Sequence, residues 1–368
     1  MSAPAPPPLE TGKSPFVIDG VCHPYNFAPS NYQDGRFAEI FVDVLWSAIE
    51  RREPDLRRDQ WARDWGPEDF VETMLLESWT DMLCVHALPI YDAFKDGSVA
   101  VEKAAELKRR FPERVLWYAT ADVMQGEPAL QSLEHQVRDL GAEGIKLYPA
   151  LTYRRGRLRS FRMDDYDVAF PVFEVAQELG IRNIAIHKAL PTGPRSSEAM
   201  RVDDIAGAAS AFPDLNFQIV HAGFMFLEET VALLKGHPNV YATLESTTFL
   251  ALADPPKYAY VLDELLKAAP DKVIYSSAAT AGHPHRVLEA VAGHQPPPTA
   301  RVPFDEQVRD AVLGGTLARL HGIDIPARRA ALADDPFDRV RHAEGLRAPW
   351  TTLQQGPSLT KAPAGAAA

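Results

Sequence analysis

Cysteine is nearly absent. The 368 residues hold two, Cys22 and Cys84, too few for a disulfide framework and in keeping with a reducing compartment. A basic excess is missing as well. With 38 Lys+Arg against 50 Asp+Glu the formal charge is −12, and nucleic acid is excluded as the main partner because phosphate neutralisation needs a basic face. No apolar run approaches the ~18 residues of a membrane span. The segment Met1–Leu9 lacks the basic and apolar regions of a signal peptide. These absences lead us to expect a soluble, cytoplasmic protein that binds neither nucleic acid nor membrane.

What is present is globular: 46% hydrophobic and 24% charged residues, enough for a large core without staples. The 31 prolines punctuate the chain. Ser2–Pro8 and Pro357–Ala368 lack apolar periodicity and are expected to stay mobile. His294–Val302, with three consecutive prolines, reads as an extended connector. The basic run Tyr153–Arg159 reads as a solvated loop, with an anion site as the lesser alternative.

Short apolar runs alternate with helical patterns. The strand candidates are Phe16–Val21, Met82–His86, Val115–Thr120, Gly144–Tyr148, Asn183–His187, Phe217–His221, Val240–Leu244 and Lys272–Ser276. Helices are expected over Pro67–Trp79, Val99–Phe111, Pro128–Leu140, Asp165–Leu179, Asp203–Phe212, Leu227–Lys235, Tyr258–Ala268, His285–Ala292 and Phe304–His321. No Gly-x-Gly-x-x-Gly turn follows the first strand, which disfavours an open dinucleotide-binding sheet. Eight strands alternating with helices predict an α/β fold, the (β/α)₈ TIM barrel. We expect a tail over 1–15, the barrel over 16–323 and a partly disordered extension over 324–368. Within the barrel, 26–65 forms a helical insertion that caps the mouth or serves as an oligomer arm.

Barrel chemistry sits at the carboxyl ends of strands. Those ends carry His23, His187, His221 and Glu245, an imidazole and carboxylate set suited to one divalent ion, Zn²⁺ foremost with Fe²⁺ or Mn²⁺ as alternatives. Any one of these histidines could be a hydrogen-bonded wall residue, but their recurrence at equivalent positions points to a site. Lys146, His86, His283 and His285 are further candidates for the pocket, but Lys146 could instead cap its strand or pair with an acid, wall packing is the commoner fate of a residue like His86, and His283-Pro284-His285 reads more readily as the start of the following helix. His135, His237, His294, His321 and His342 are expected to face solvent. Ser276 and Ser277 lack a nucleophile-elbow pattern, and no catalytic residue is assigned.

These segments resemble the amidohydrolase superfamily, specifically the amidohydrolase-related branch that includes aminocarboxymuconate semialdehyde decarboxylase-like enzymes. Val17-Ile18-Asp19-Gly20-Val21-Cys22-His23 is similar to the branch's Ile-Asp-x-His-x-His strand. Gly144-Ile145-Lys146-Leu147 is similar to its Gly-x-Lys-Leu strand. The strands ending in His187 and His221 and the helix Val312–Ile323 follow in the same order. The resemblance implies a metal-dependent hydrolase or decarboxylase. It also places Val21 where the family has its first metal histidine, and Ala278 where it has the aspartate that binds metal and handles the proton of the attacking water. That degeneracy suggests a supporting subunit. Its partner would be a related chain in a hetero-oligomeric monooxygenase, an oxidoreductase such as the hydroxylase of 2-aminoisobutyrate, acting on a small amino or carboxylic acid. The alternatives are a self-sufficient hydrolase or decarboxylase, homo-oligomers included, and a metal-free scaffold.

Overall fold

The computed structural model describes residues 15–154, 157–190 and 197–360. Ser2–Pro8 and 361–368 lie outside them, as do Arg155 and Gly156 of the basic run. Among the described residues ten strands form: β1 (Ile18–Cys22), β2 (Met82–His86), β3 (Val115–Ala119), β4 (Gly144–Leu147), β5 (Ala150–Arg154), β6 (Arg157–Ser160), β7 (Asn183–His187), β8 (Asn216–Val220), β9 (Val240–Thr243) and β10 (Val273–Ile274). Eight of them make one parallel sheet in the order β1-β2-β3-β4-β7-β8-β9-β10. Bonds from Gly20 N to Tyr275 O (3.0 Å) and from Ala278 N to Val21 O (3.2 Å) draw its edges together. Only glycine fits that seam, since a Cβ on Gly20 would lie 2.9 Å from the Tyr275 carbonyl. The fold is the expected TIM barrel, and its strands are buried along their length because helices cover the outside.

One expectation fails here. The basic run is no plain loop: β5 and β6 pair antiparallel as a separate hairpin. Backbone pairing is indifferent to side-chain charge, so composition concealed it.

The insertion over 26–65 folds down onto the barrel mouth. Its main helix, Gly35–Ile49, starts at Asp34, whose carboxylate accepts from the N–H groups of Arg36 and Phe37 at 3.0 and 3.1 Å. Ala38, Val42 and Ile49 are buried in an apolar cluster with Trp61, Trp65, Phe94 and Trp350. Among the described residues no helix is long and apolar enough to cross a membrane.

The C-terminal extension carries helices Ile325–Leu332, Pro336–Glu344 and Thr351–Gln355. Its last described stretch is docked, contrary to expectation. The fully buried Glu72 carboxylate accepts from the backbone N–H groups of Ser358, Leu359 and Thr360 at 2.7–2.9 Å and pairs with Arg347 at 2.9 Å. Burial pushes the Glu72 acid up, but the donors from Ser358 and Thr360 outweigh it and hold the group below its ordinary range. The clamp is therefore complete at neutral pH and fades as pH falls through that lowered value. Hydrogen exchange at Ser358–Thr360 should be slow at pH 7 and accelerate in acid. Glu72→Ala should abolish the protection at both, with a loss of roughly 3 kcal/mol in stability. Equal protection in the variant at pH 7 would refute the clamp.

Candidate active site at the barrel mouth

Four strand ends deliver the four expected side chains to one place. His23 follows β1, His187 ends β7, His221 follows β8 and Glu245 follows β9. Each is at most 5% exposed. Glu245 Oε2 lies 3.0 Å from His221 Nε2, and its Oε1 lies 3.5 Å from His23 Nε2. His221 Nε2 is also 3.1 Å from His187 Nδ1. The backbone is turned to achieve this: φ is +64° at His221, +36° at Glu245 and +57° at Ala278, the left-handed region non-glycine residues seldom adopt.

The outer nitrogens separate the histidines into two kinds. A carbonyl only accepts, so His187 Nε2–H donates to Leu190 O (2.8 Å) and His23 Nδ1–H to His86 O (3.2 Å). Both tautomers, assigned from these contacts, turn bare inner nitrogens toward the cluster. An outer N–H pinned to a backbone carbonyl is the support that metal-ligating imidazoles have. His221 differs, because its buried Nδ1 has no partner among the described residues.

Burial pushes the Glu245 carboxyl up, but the His221 imidazole 3.0 Å away more than offsets this and holds it well below its ordinary range. Burial, with His221 beside it, keeps His187 well below the usual imidazole value. His221 is lowered by burial, and Glu245 works against that shift.

As the side chains stand, among the described residues no three His, Cys, Asp or Glu groups are gathered to hold an ion. The donors touch one another. Their chemistry nevertheless fits one: inner lone pairs of His23 and His187 and the carboxylate of Glu245 face the same cluster, with both tautomers fixed from outside.

Above the cluster opens a cavity of about 340 Å³. His23, His187, His221 and Glu245 line it together with apolar residues including Tyr25, Phe41, Leu45 and Phe249. Tyr148 stacks on His187 with ring centroids 4.3 Å apart. Arg51 and Arg52, from the turn after helix Gly35–Ile49, also line it. Arg52 lies 3.8 Å over the Phe249 ring and donates to Ala281 O at 3.1 Å. It makes no ion pair among the described residues, its Nε is buried without a partner, and burial lowers it to about 10. An unpaired guanidinium on an apolar wall is a ready site for an anion. The sequence reading missed Arg52, although the aromatic-rich cap around Arg51-Arg52 was the available signal.

The other pocket candidates do not line this cavity. His86 is fully buried, stacked on Tyr118 at 4.6 Å. Lys146 is buried within the barrel, 5.4 Å from the Tyr148 ring centroid, and burial lowers its ammonium to about 8. His283 is buried against Glu77 (2.9 Å), and His285 faces Glu289 at 3.3 Å. For these two the helix start is what forms: His283 caps helix Pro284–Ala292 with its side chain. His321, expected in solvent, instead meets Tyr118 OH at 2.9 Å.

Comparisons with known proteins agree with this architecture. Among curated proteins no match is found. In fold the chain is similar to an uncharacterised TIM-barrel protein from Bordetella bronchiseptica, with TM-score 0.60, 16% identity, and 85% of this chain and 99% of that one covered. It is also similar to 5-carboxyvanillate decarboxylase from Novosphingobium aromaticivorans, solved with manganese and 3-methoxy-4-hydroxy-5-nitrobenzoic acid (TM-score 0.55, 13% identity, 86% and 100% covered). A third likeness is 2,6-dihydroxybenzoate decarboxylase from Rhizobium (0.54, 14%, 83% and 99%). Identities this low speak for the fold alone. The sequence itself matches the amidohydrolase family profile over residues 91–323, more than half of its length, and the chain therefore belongs to the amidohydrolase family.

Proposed function

We propose that this chain is a self-sufficient decarboxylase of a small carboxylic acid with an apolar, ring-sized body and a second anionic group. The observation that carries the reading is the unpaired Arg52 in the same apolar cavity as the histidine–glutamate cluster. An arginine paired with the departing carboxylate would stabilise the ground state and oppose the reaction. Arg52 is therefore assigned to the second anionic group, and the reacting carboxylate to the cluster. A cavity of about 340 Å³ suits a substrate of that size.

His23, His187 and Glu245 would hold one divalent ion, which supplies Lewis-acid charge at the substrate's oxygens when bound. His221, whose outer nitrogen is not pinned, handles the proton. The bond from ring carbon to carboxylate breaks, its electron pair stays on carbon, and carbon takes the proton from His221 while CO₂ leaves. Glu245 Oε2, 3.0 Å away, steadies the imidazolium before transfer. The apolar walls limit water around that step. Hydrolysis is the weaker reading because it needs a base for water, and Ala278 offers no carboxylate there.

The test uses the isolated full chain with added Mn²⁺ or Zn²⁺, assayed for CO₂ release from hydroxy- and dicarboxy-benzoates and for cleavage of N-acyl amino acids. We expect CO₂ release, with at most one equivalent of metal per chain by elemental analysis, since Val21 and Ala278 carry no donor for a second. Amide cleavage alone would make the chain a hydrolase. Turnover only after addition of a related subunit would restore the supporting-subunit reading. Two equivalents of metal would overturn the ligand assignment.

A further inference from the structure

Arg52 is held from three sides. Its own carbonyl accepts from Arg286 Nη1 at 3.0 Å, its Nη2 donates to Ala281 O, and its guanidinium stacks on Phe249. The next residue, Glu53, is 2% exposed. Its carboxylate accepts from His283 N, from Arg286 Nη1 and from the indole Nε1 of Trp350, each at 2.9 Å.

Trp350 belongs to the C-terminal extension, 297 residues further along. It is fully buried with φ +66°. A second buried carboxylate, Glu77, accepts from the backbone N–H groups of Trp350 and Thr352, both at 2.6 Å. The Trp350 ring meets His283 edge-on at 4.7 Å. A bulky residue persists in a left-handed conformation only when its surroundings over-determine it. Here two buried carboxylates and an edge-on imidazole do so, and one of those carboxylates adjoins the cavity arginine.

We infer that Trp350 is a positioning residue for the anion subsite: its indole N–H fixes Glu53, and Glu53 with Arg286 fixes the backbone from which Arg52 reaches the cavity. The inference rests on the reading of Arg52 as the anion anchor. It gives the C-terminal extension a part in ligand recognition although none of its described residues lines the cavity.

Benzoate and its neutral isostere benzamide separate this role from general structural support. Their binding to the full chain is measured by calorimetry for the wild type, Arg52→Ala and Trp350→Phe, the last keeping an aromatic ring but losing the N–H. Hydrogen exchange over residues 50–56 is followed in parallel. The wild type should prefer benzoate. Trp350→Phe should cut that preference about tenfold, leave benzamide unchanged and speed exchange at 50–56. Glu53→Gln, isosteric at the same junction, should do likewise and serves if Trp350→Phe does not fold. If Arg52→Ala loses the preference while Trp350→Phe and Glu53→Gln keep it, the positioning role is wrong even where exchange rises. If the wild type has no preference, or Arg52→Ala keeps it, the anchor reading itself fails and takes this inference with it.

Discussion

His221→Asn is expected to lower turnover by about 10³-fold while leaving the metal content of the protein unchanged. The amide still donates toward Glu245 but carries no proton acidic enough to transfer to the ring carbon. His187→Ala should behave differently and lower both turnover and metal content, because the nitrogen it removes is one whose partner on the far side is a carbonyl, Leu190 O at 2.8 Å. The measurement is elemental analysis beside steady-state rates for the two variants. Loss of metal in His221→Asn would place that residue among the ligands and leave the proton without a donor.

The second large effect belongs to Arg52→Ala. Substrate affinity should fall on the order of 50-fold, with kcat changed much less, because a charge-assisted contact to a non-reacting group stabilises ground and transition states alike. Arg52→Lys should recover only part of this, since an ammonium cannot reproduce the planar fork or its stacking on Phe249. A collapse of kcat at unchanged KM would mean that Arg52 meets the reacting group.

The barrel was legible in the sequence nearly strand by strand. Met82–His86 and Asn183–His187 form as expected to the residue, because strands covered on both faces must be short apolar runs, and the intervening glycines and prolines bound them. The cluster was legible for the same reason: strand ends are fixed by the strands, so His23, His187, His221 and Glu245 could be placed together without knowing their partners. What stayed hidden depends on contacts distant in sequence. Arg52 sits in the charged run Glu50-Arg51-Arg52-Glu53, and nothing in that run announces that Trp350 and Arg286 hold Glu53. Likewise Pro357–Thr360 has no periodicity of its own. Its order comes from Glu72, a carboxylate some 286 residues earlier that faces inward from helix Pro67–Leu76.

The left-handed turns at His221, Glu245 and Ala278 bear on how this protein can change. Each disfavours the folded state by about 1–3 kcal/mol, and together they approach the net stability of an ordinary domain, about 5–15 kcal/mol. Selection for heat resistance alone should therefore gather glycines at these three positions first, Ala278→Gly being the mildest because only a methyl group is lost. At His221 and Glu245 the same relaxation removes the side chains that converge over the barrel. Thermostability and chemistry thus compete for the same few backbone angles, and a hardened variant with intact chemistry has to find its gains away from the mouth, in the outer helices or the C-terminal extension.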